Sequence, residues 1–199
     1  SLVGEPVPMS AATPSPAPSA APAATPTLIL VILDESGSMQ DKRADVIGGF
    51  NQFLGEQQQI PTPCRLMVTK FNTELTHHSV EAVAGVKPLA LETYTPGGNT
   101  ALFDAVAQTV RRADKEKRPE ERVLALIMTD GEENSSRETT FEQVKALVEA
   151  RSAAGWTFLY IGEQPEKWAR QMGKPVGTTT VYDKADPNRS FAGAAMAAS

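Results

Sequence analysis

Three short stretches carry oxygen-bearing side chains in a pattern suited to holding a metal ion. One runs Asp34-Glu35-Ser36-Gly37-Ser38. A second places Thr100 directly after Gly97-Gly98-Asn99. A third ends in Asp130-Gly131. Together Asp34, Ser36, Ser38, Thr100 and Asp130 offer two carboxylates and three hydroxyls, the hard donors preferred by Mg²⁺, Mn²⁺ or Ca²⁺. Mg²⁺ keeps several waters, so a few protein oxygens from different loops suffice. Each stretch alone has a plainer explanation. Asp and Ser favour turns and helix N-caps, and Gly-rich or Asp-Gly segments are ordinary turns. The weight lies in the conjunction, because each stretch falls where a strand gives way to a helix.

The elements that must position these residues follow from periodicity. The apolar run 28–33 is short, partly β-branched and bounded by Pro26 and the turn at 34–37, as expected for a strand buried on both faces. A helix is expected over 41–58, with Val46, Ile47, Phe50, Phe53 and Leu54 on one face and Pro61 and Pro63 beyond its end. Residues 64–71 read as a strand and 75–83 as a polar, hairpin-paired edge strand. The loop 95–100 leads into a helix over 101–117, whose inner face is Leu102, Ala105, Val106, Thr109 and Val110. A buried strand follows at 122–129. Thr139 with Glu142 resembles a capping box opening a third helix, whose stripe is Phe141, Val144, Leu147 and Val148 and whose end is marked by Gly155. Strands are expected at 156–161 and 178–183, a short helix from Pro165 to near Gly173, and another short helix within 187–199. This alternation predicts an α/β fold: a doubly wound, mostly parallel sheet with one antiparallel edge strand and helices on both faces. Ligands of such sheets sit at the carboxyl ends of the strands, where all three oxygen-rich stretches fall.

Composition bounds the rest. The chain has 199 residues and a formal net charge of −5, enough for one domain with an appendage. The expected division is an arm over 1–26 and a domain over 27–199. The arm holds seven of the fifteen prolines, and Glu5 is its sole charge. That composition suits a semi-rigid linker, or alternatively an extended arm lying on a partner or a neighbouring copy. Cys64 is the only cysteine, so neither an intrachain disulfide nor a Cys-rich zinc site is available. No basic tract points to nucleic acid. No apolar run approaches the roughly 20 residues of a membrane span, and no signal peptide is expected at the N-terminus.

The three stretches resemble the von Willebrand factor type A family. Its metal-ion-dependent adhesion site uses a D-x-S-x-S loop, a distant threonine, and a distant aspartate often followed by glycine. DESGSM at 34–39, Thr100 in GGNTALFDA and Asp130 in LIMTDGEEN match these elements. The likeness covers about 27–183 and is closest in style to stand-alone bacterial or phage-borne members. It implies a Rossmann-like fold, with Ser36 and Ser38 as direct metal ligands and Asp34, Thr100 and Asp130 as direct or water-mediated ones. It leaves sixteen residues after Asp183 for the final family helix.

Hydroxyl ligands add no formal charge, so a dication held this way stays electrophilic, and an Asp or Glu of a partner protein can fill an open position. The function expected first is therefore a metal-dependent protein-binding module, without enzymatic activity, using Mg²⁺, Mn²⁺ or Ca²⁺. The second is a structural or decoration subunit of an assembly such as a phage virion, with the 1–26 arm threading along neighbours. A cytoplasmic or virion-associated setting suits both, with a surface or secreted setting left open. A metal-dependent hydrolase ranks third. The position two residues after Asp34 is Ser36, where a haloacid-dehalogenase-type phosphatase has a second Asp. No G-x-S-x-G elbow or P-loop is present. His77 and His78 read as a solvated strand face, Cys64 as a small core residue, 111–122 as a solvated helix end, and Trp156 and Trp168 as packing residues.

Overall fold

The computed structural model describes residues 24–130, 133–162 and 179–181. Strand β1 (Thr27–Asp34) leads through a 3₁₀ turn at Gly37–Lys42 into helix α1 (Arg43–Gln59), followed by β2 (Cys64–Phe71), β3 (Leu75–His77) and β4 (Glu81–Ala82). Helix α2 (Leu102–Glu116), β5 (Arg122–Met128), α3 (Phe141–Ala153), β6 (Thr157–Gly162) and β7 (Thr179–Val181) complete the described elements. The sheet order is β3-β2-β1-β5-β6-β7, with β4 also paired to β2. β1, β2, β5, β6 and β7 run parallel, whereas β3 and β4 are antiparallel to β2.

β1 occupies the centre because its sequence tolerates burial everywhere. All eight residues of TLILVILD are buried, and their side chains alternate between two cores. Ile29, Val31 and Leu33 pack with Val46, Phe50, Phe53 and Leu54 of α1. Leu28, Leu30 and Ile32 pack with Leu102, Val106 and Val110 of α2 and with Val144 and Val148 of α3. Burying an aliphatic side chain of this size contributes about 1.5–3 kcal/mol. Filling both faces of one strand therefore anchors helices on both sides of the sheet. The register sets Asp34 opposite Phe71 of β2 and Leu33 opposite Met128 of β5. The carboxyl ends of the central strands thus lie level, and the loops leaving them share one edge.

Among the described residues the expected elements form, with shifts that have physical causes. The helix expected from residue 41 begins at Arg43, because residues 37–42 wind as a 3₁₀ turn pinned by the buried Met39. The capping box lies one residue later than expected. Thr140 Oγ1 accepts from the Gln143 amide and Gln143 Oε1 accepts from the Thr140 amide, at 3.3 and 2.9 Å. The antiparallel edge expected over 75–83 is divided into β3 and β4 by residues 78–80.

Gly155 closes α3 with φ +95, in the left-handed region that favours glycine. The segment 111–122 is less solvated than its charges suggest. α2 stops at Glu116, and Glu121 is buried against Arg65, accepting from Nε at 2.7 Å and from Nη2 at 2.8 Å. Trp156 is buried beside Phe158 as a packing residue. Cys64 packs against the core edge, and burial pushes its thiol up to about 11, away from nucleophilic use. Among the described residues no helix is long and apolar enough to cross a membrane. Residues 1–23, the short helices expected at 165–173 and within 187–199, and Trp168 lie outside the described residues.

Candidate metal centre

Asp34 is the last residue of β1 and has no exposed surface. Its Oδ1 accepts from the Ser36 amide at 2.8 Å, and its Oδ2 accepts from Thr129 Oγ1 at 2.6 Å. Burial pushes its carboxyl above the usual range, the hydrogen bonds from Ser36 and Thr129 pull it back, and the Asp130 charge raises it further. Ser36 Oγ lies 3.1 Å from Ser38 Oγ, and Ser38 Oγ donates to Asp130 Oδ1 at 3.0 Å. The other oxygen of Asp130, Oδ2, accepts from the Lys42 ammonium. Asp34, Ser36, Ser38 and Asp130 are therefore joined by consecutive hydrogen bonds, running from the end of β1 across to the end of β5.

Thr100 reaches this edge on a separate loop. The Gly37 amide donates to Gly98 O at 3.0 Å, and the Gly97 amide donates to Glu35 O at 2.9 Å. Gly98 has φ +75, and a Cβ there would stand 2.9 Å from Thr73 Oγ1. The positive φ favours a glycine here, and the missing side chain leaves room for the β2–β3 connection at Asn72 and Thr73. Thr100 is buried, and its amide donates to Asn134 Oδ1 at 2.8 Å. Its carbonyl accepts from the amides of Asn134 and Ser135, at 3.0 and 3.2 Å. The Thr100 backbone is thereby tied to the segment that follows Asp130.

Glu35 lies inside the D-x-S-x-S stretch, yet its carboxylate is turned elsewhere. Oε2 accepts from the Thr95 amide at 2.9 Å and from Lys70 Nζ at 3.4 Å. It ties the β1 loop to the loop carrying Thr100. Tyr94 supports the same junction from below: it is fully buried, and its hydroxyl donates to the Asp34 carbonyl.

Two carboxylates that the sequence analysis did not single out hold the geometry together. Asp104, in the first turn of α2, accepts from the amides of Arg137, Glu138 and Thr139, the shortest at 2.8 Å. Glu133 reaches back to accept from the Phe103 amide at 2.9 Å. Ser136 completes the clamp by accepting from the Asp104 amide and donating to Glu133 Oε2. Asp104 is the sort of residue preferred at a helix start, which is the one signal the sequence offers for it. Nothing in the spacing marks Glu133.

The donor set suits a hard divalent cation. It holds two carboxylates and two hydroxyls in one hydrogen-bonded series, with the Asp130 charge raising the proton affinity of Asp34, and Thr100 stands on the neighbouring loop. A cation, the Lys42 ammonium, already rests on Asp130. Among the described residues no cluster of three or more His, Cys, Asp or Glu side chains gathers, so softer, imidazole- or thiolate-rich centres are absent from that set. His77 contacts Thr69 Oγ1 through Nδ1 and Gln108 Oε1 through Nε2, at 3.0 and 3.3 Å. It belongs to the sheet edge, as the sequence suggested.

No protein-family model matches the chain, and no curated protein matches it. Solved structures do. A von Willebrand factor type A protein from Catenulispora acidiphila aligns with TM-score 0.60 at 15% identity, over 86% of this chain and 42% of that one. The vWF domain of the type V pili tip protein Mfa5 from Porphyromonas gingivalis aligns with TM-score 0.67 at 9% identity, over 87% of this chain and 95% of that one. Manganese-loaded TRAP protein from Plasmodium vivax aligns with TM-score 0.57 at 16% identity, over 84% of this chain and 71% of that one. The chain thus spans less than half of the Catenulispora protein's length and nearly all of the Mfa5 domain. At these identities the likeness establishes the architecture: the chain has the von Willebrand factor type A fold.

Proposed function

We propose that the chain is a protein-binding module of the adhesion type, in which Asp34, Ser36, Ser38, Thr100 and Asp130 hold a divalent cation, Mg²⁺ first, that captures an Asp or Glu carboxylate of a partner. The observation that carries this reading is the hydrogen-bonded series Asp34–Ser36–Ser38–Asp130. It gathers hard oxygens from two strand ends at one edge of the sheet. The manganese-loaded TRAP structure lends support for a cation on this fold, and the pilus-tip domain lends support for an adhesive role.

A bound dication would supply an electrophilic centre that attracts an anionic oxygen. The protein's own contribution is restraint. Ser36, Ser38 and Thr100 would orient the ion without neutralising it, and Asp34, buried and doubly hydrogen-bonded, is fixed before binding. Glu35 is engaged by Thr95 and Lys70, which keeps a third carboxylate from quenching the site. We read the module as non-enzymatic. The Cys64 thiol is pushed up by burial, and His77 is engaged with Thr69 and Gln108.

The test is thermal unfolding with Mg²⁺ and with EDTA. A ligand bound only to the folded state stabilises it by about 2.7 kcal/mol at a hundred times its Kd. Mg²⁺ should raise the melting temperature, and Asp34→Ala should abolish the rise. Acetate, the smallest carboxylate probe, should add a further rise only when Mg²⁺ is present. An equal Mg²⁺ effect in the Asp34→Ala protein would put the ion elsewhere and overturn the reading.

A further inference from the structure

The Lys42 ammonium rests on Oδ2 of Asp130, one of the five residues proposed to hold the cation. Both side chains are largely enclosed, at 15% and 6% exposure, so this is not a solvated surface pair. Lys42 closes the 3₁₀ turn that also carries Ser38. Ser38 and Lys42 therefore approach Asp130 from one short segment, Ser38 on Oδ1 and Lys42 on Oδ2. Beside the ion pair, Met39, Met128, Ile161 and Gly162 line the same small niche as Lys42 and Asp130. An apolar wall of this kind weakens screening and strengthens whatever charge interaction it borders.

A dication and an ammonium cannot share one carboxylate oxygen at contact without strong like-charge repulsion, least of all where water is excluded. We infer that Lys42 is a tethered counter-cation of the site: it holds Asp130 in place when no metal is bound, and it must leave Asp130 Oδ2 for a divalent ion to bind there, which lowers the site's metal affinity. The inference rests on the metal-binding reading above and adds a gain-of-affinity consequence that the five ligands alone do not predict. It also explains how Asp130 and Asp34 tolerate proximity without a metal, since Lys42 supplies the compensating positive charge.

The experiment uses the full chain and Mn²⁺, whose binding is read directly by electron paramagnetic resonance as loss of the free-ion signal. Lys42→Met keeps an aliphatic side chain for the niche and removes the charge. It should bind Mn²⁺ at least about tenfold more tightly than the unmodified protein, and in EDTA it should melt at a lower temperature. Lys115→Met, at an exposed position on α2, makes the same change in net charge and should alter neither quantity. Should the methionine variant not fold, Lys42→Gln repeats the measurement. If the unmodified protein binds Mn²⁺ and the Lys42 variant binds it no more tightly, or if Lys115→Met tightens binding equally, the inference falls and the metal site stands. If neither protein binds Mn²⁺, both fall, and Lys42–Asp130 is a structural ion pair.

Discussion

Thr129 and Asp34 face one another across the carboxyl ends of β5 and β1, and the Thr129 hydroxyl donates to Asp34 Oδ2 at 2.6 Å in a fully buried contact. Leu33 and Met128 are register partners one step earlier, so the sheet itself sets this pair. A buried carboxylate oxygen that loses its donor keeps the full cost of desolvation, about 1–3 kcal/mol. Thr129→Val should therefore destabilise the metal-free protein by about that amount in urea unfolding, while Thr129→Ser should stay near the parent. Equal losses in the two variants would assign the effect to packing.

Gly162, at the end of β6, is the position among the described glycines where a side chain is least tolerable. A Cβ there would lie 2.2 Å from the Thr129 carbonyl oxygen. The obstruction is backbone, so no rotamer change relieves it. Overpacking typically costs about 1–3 kcal/mol, and Gly162→Ala should reach the top of that range. It should also shrink the Mg²⁺-induced melting shift, because moving Thr129 moves the donor to Asp34. A variant with parental stability would show that β6 yields easily at this point.

The clamp between α2 and the segment after Asp130 offers a coupling measurement. Asp104 accepts three backbone amides from that segment, and Glu133 accepts the Phe103 amide in return. Asp104→Ala should cost at least about 1.5–3 kcal/mol, the usual scale for hydrogen bonds to a charged group. Because the Asp104 carboxylate and the Glu133 carboxylate hold the same junction from opposite sides, with Ser136 Oγ accepting from the Asp104 backbone amide and donating to Glu133 Oε2, Asp104→Ala and Glu133→Gln should be non-additive. A double-mutant cycle should give a coupling of about 0.5–3 kcal/mol. Strict additivity would mean two independent contacts.

The pair Arg65–Glu121 predicts part of the acid sensitivity. Burial alone would push the Glu121 carboxyl up, but the Arg65 guanidinium and the Arg118 amide outweigh it and hold it below its ordinary value of 4.5. A lowered folded-state value means the contribution is present above the unfolded-state value and lost as pH falls through the folded one. Between neutral pH and about 5, the urea midpoint of Glu121→Gln should lie below the parent by a constant amount. The gap should close on acidification below 4.5. A gap that widens in acid would reverse the sign assigned to Glu121.

The places of the motif residues at strand and helix ends were legible because each sits beside a strong periodic signal. Asp34 follows a fully apolar run, Asp130 lies just beyond another, and Thr100 follows two glycines ahead of an amphipathic helix. The mostly parallel sheet could be inferred because strands buried on both faces read as continuous apolar runs, whereas the order of the strands was not read from them. The contacts between loops were not legible. Glu133 and Asp104 are 29 positions apart, and Lys42 and Asp130 are 88 apart, so neither pairing leaves a periodic trace. Local composition misled in two places. The charged run 111–122 hides the buried Glu121, because its partner Arg65 lies on another strand. The capping box fell on Thr140 rather than Thr139, because adjacent threonines are chemically equivalent until the chain's entry angle selects one.

The position of β1 has a consequence for how motion is distributed through the molecule. Its amides lie between two parallel neighbours, and both of its faces are packed. Opening them to solvent requires separating the sheet at its middle, so they should be the last to exchange their hydrogens for deuterium, at a rate set by global unfolding. Exchange should quicken outward along the order β3-β2-β1-β5-β6-β7, fastest at the short antiparallel edge. Asp34 ends the slowest strand and Asp130 follows a neighbour nearly as slow. The oxygens proposed to hold the cation are therefore attached to the strands expected to exchange most slowly, and a binding event there should be felt as a pull on the whole sheet rather than on a loop.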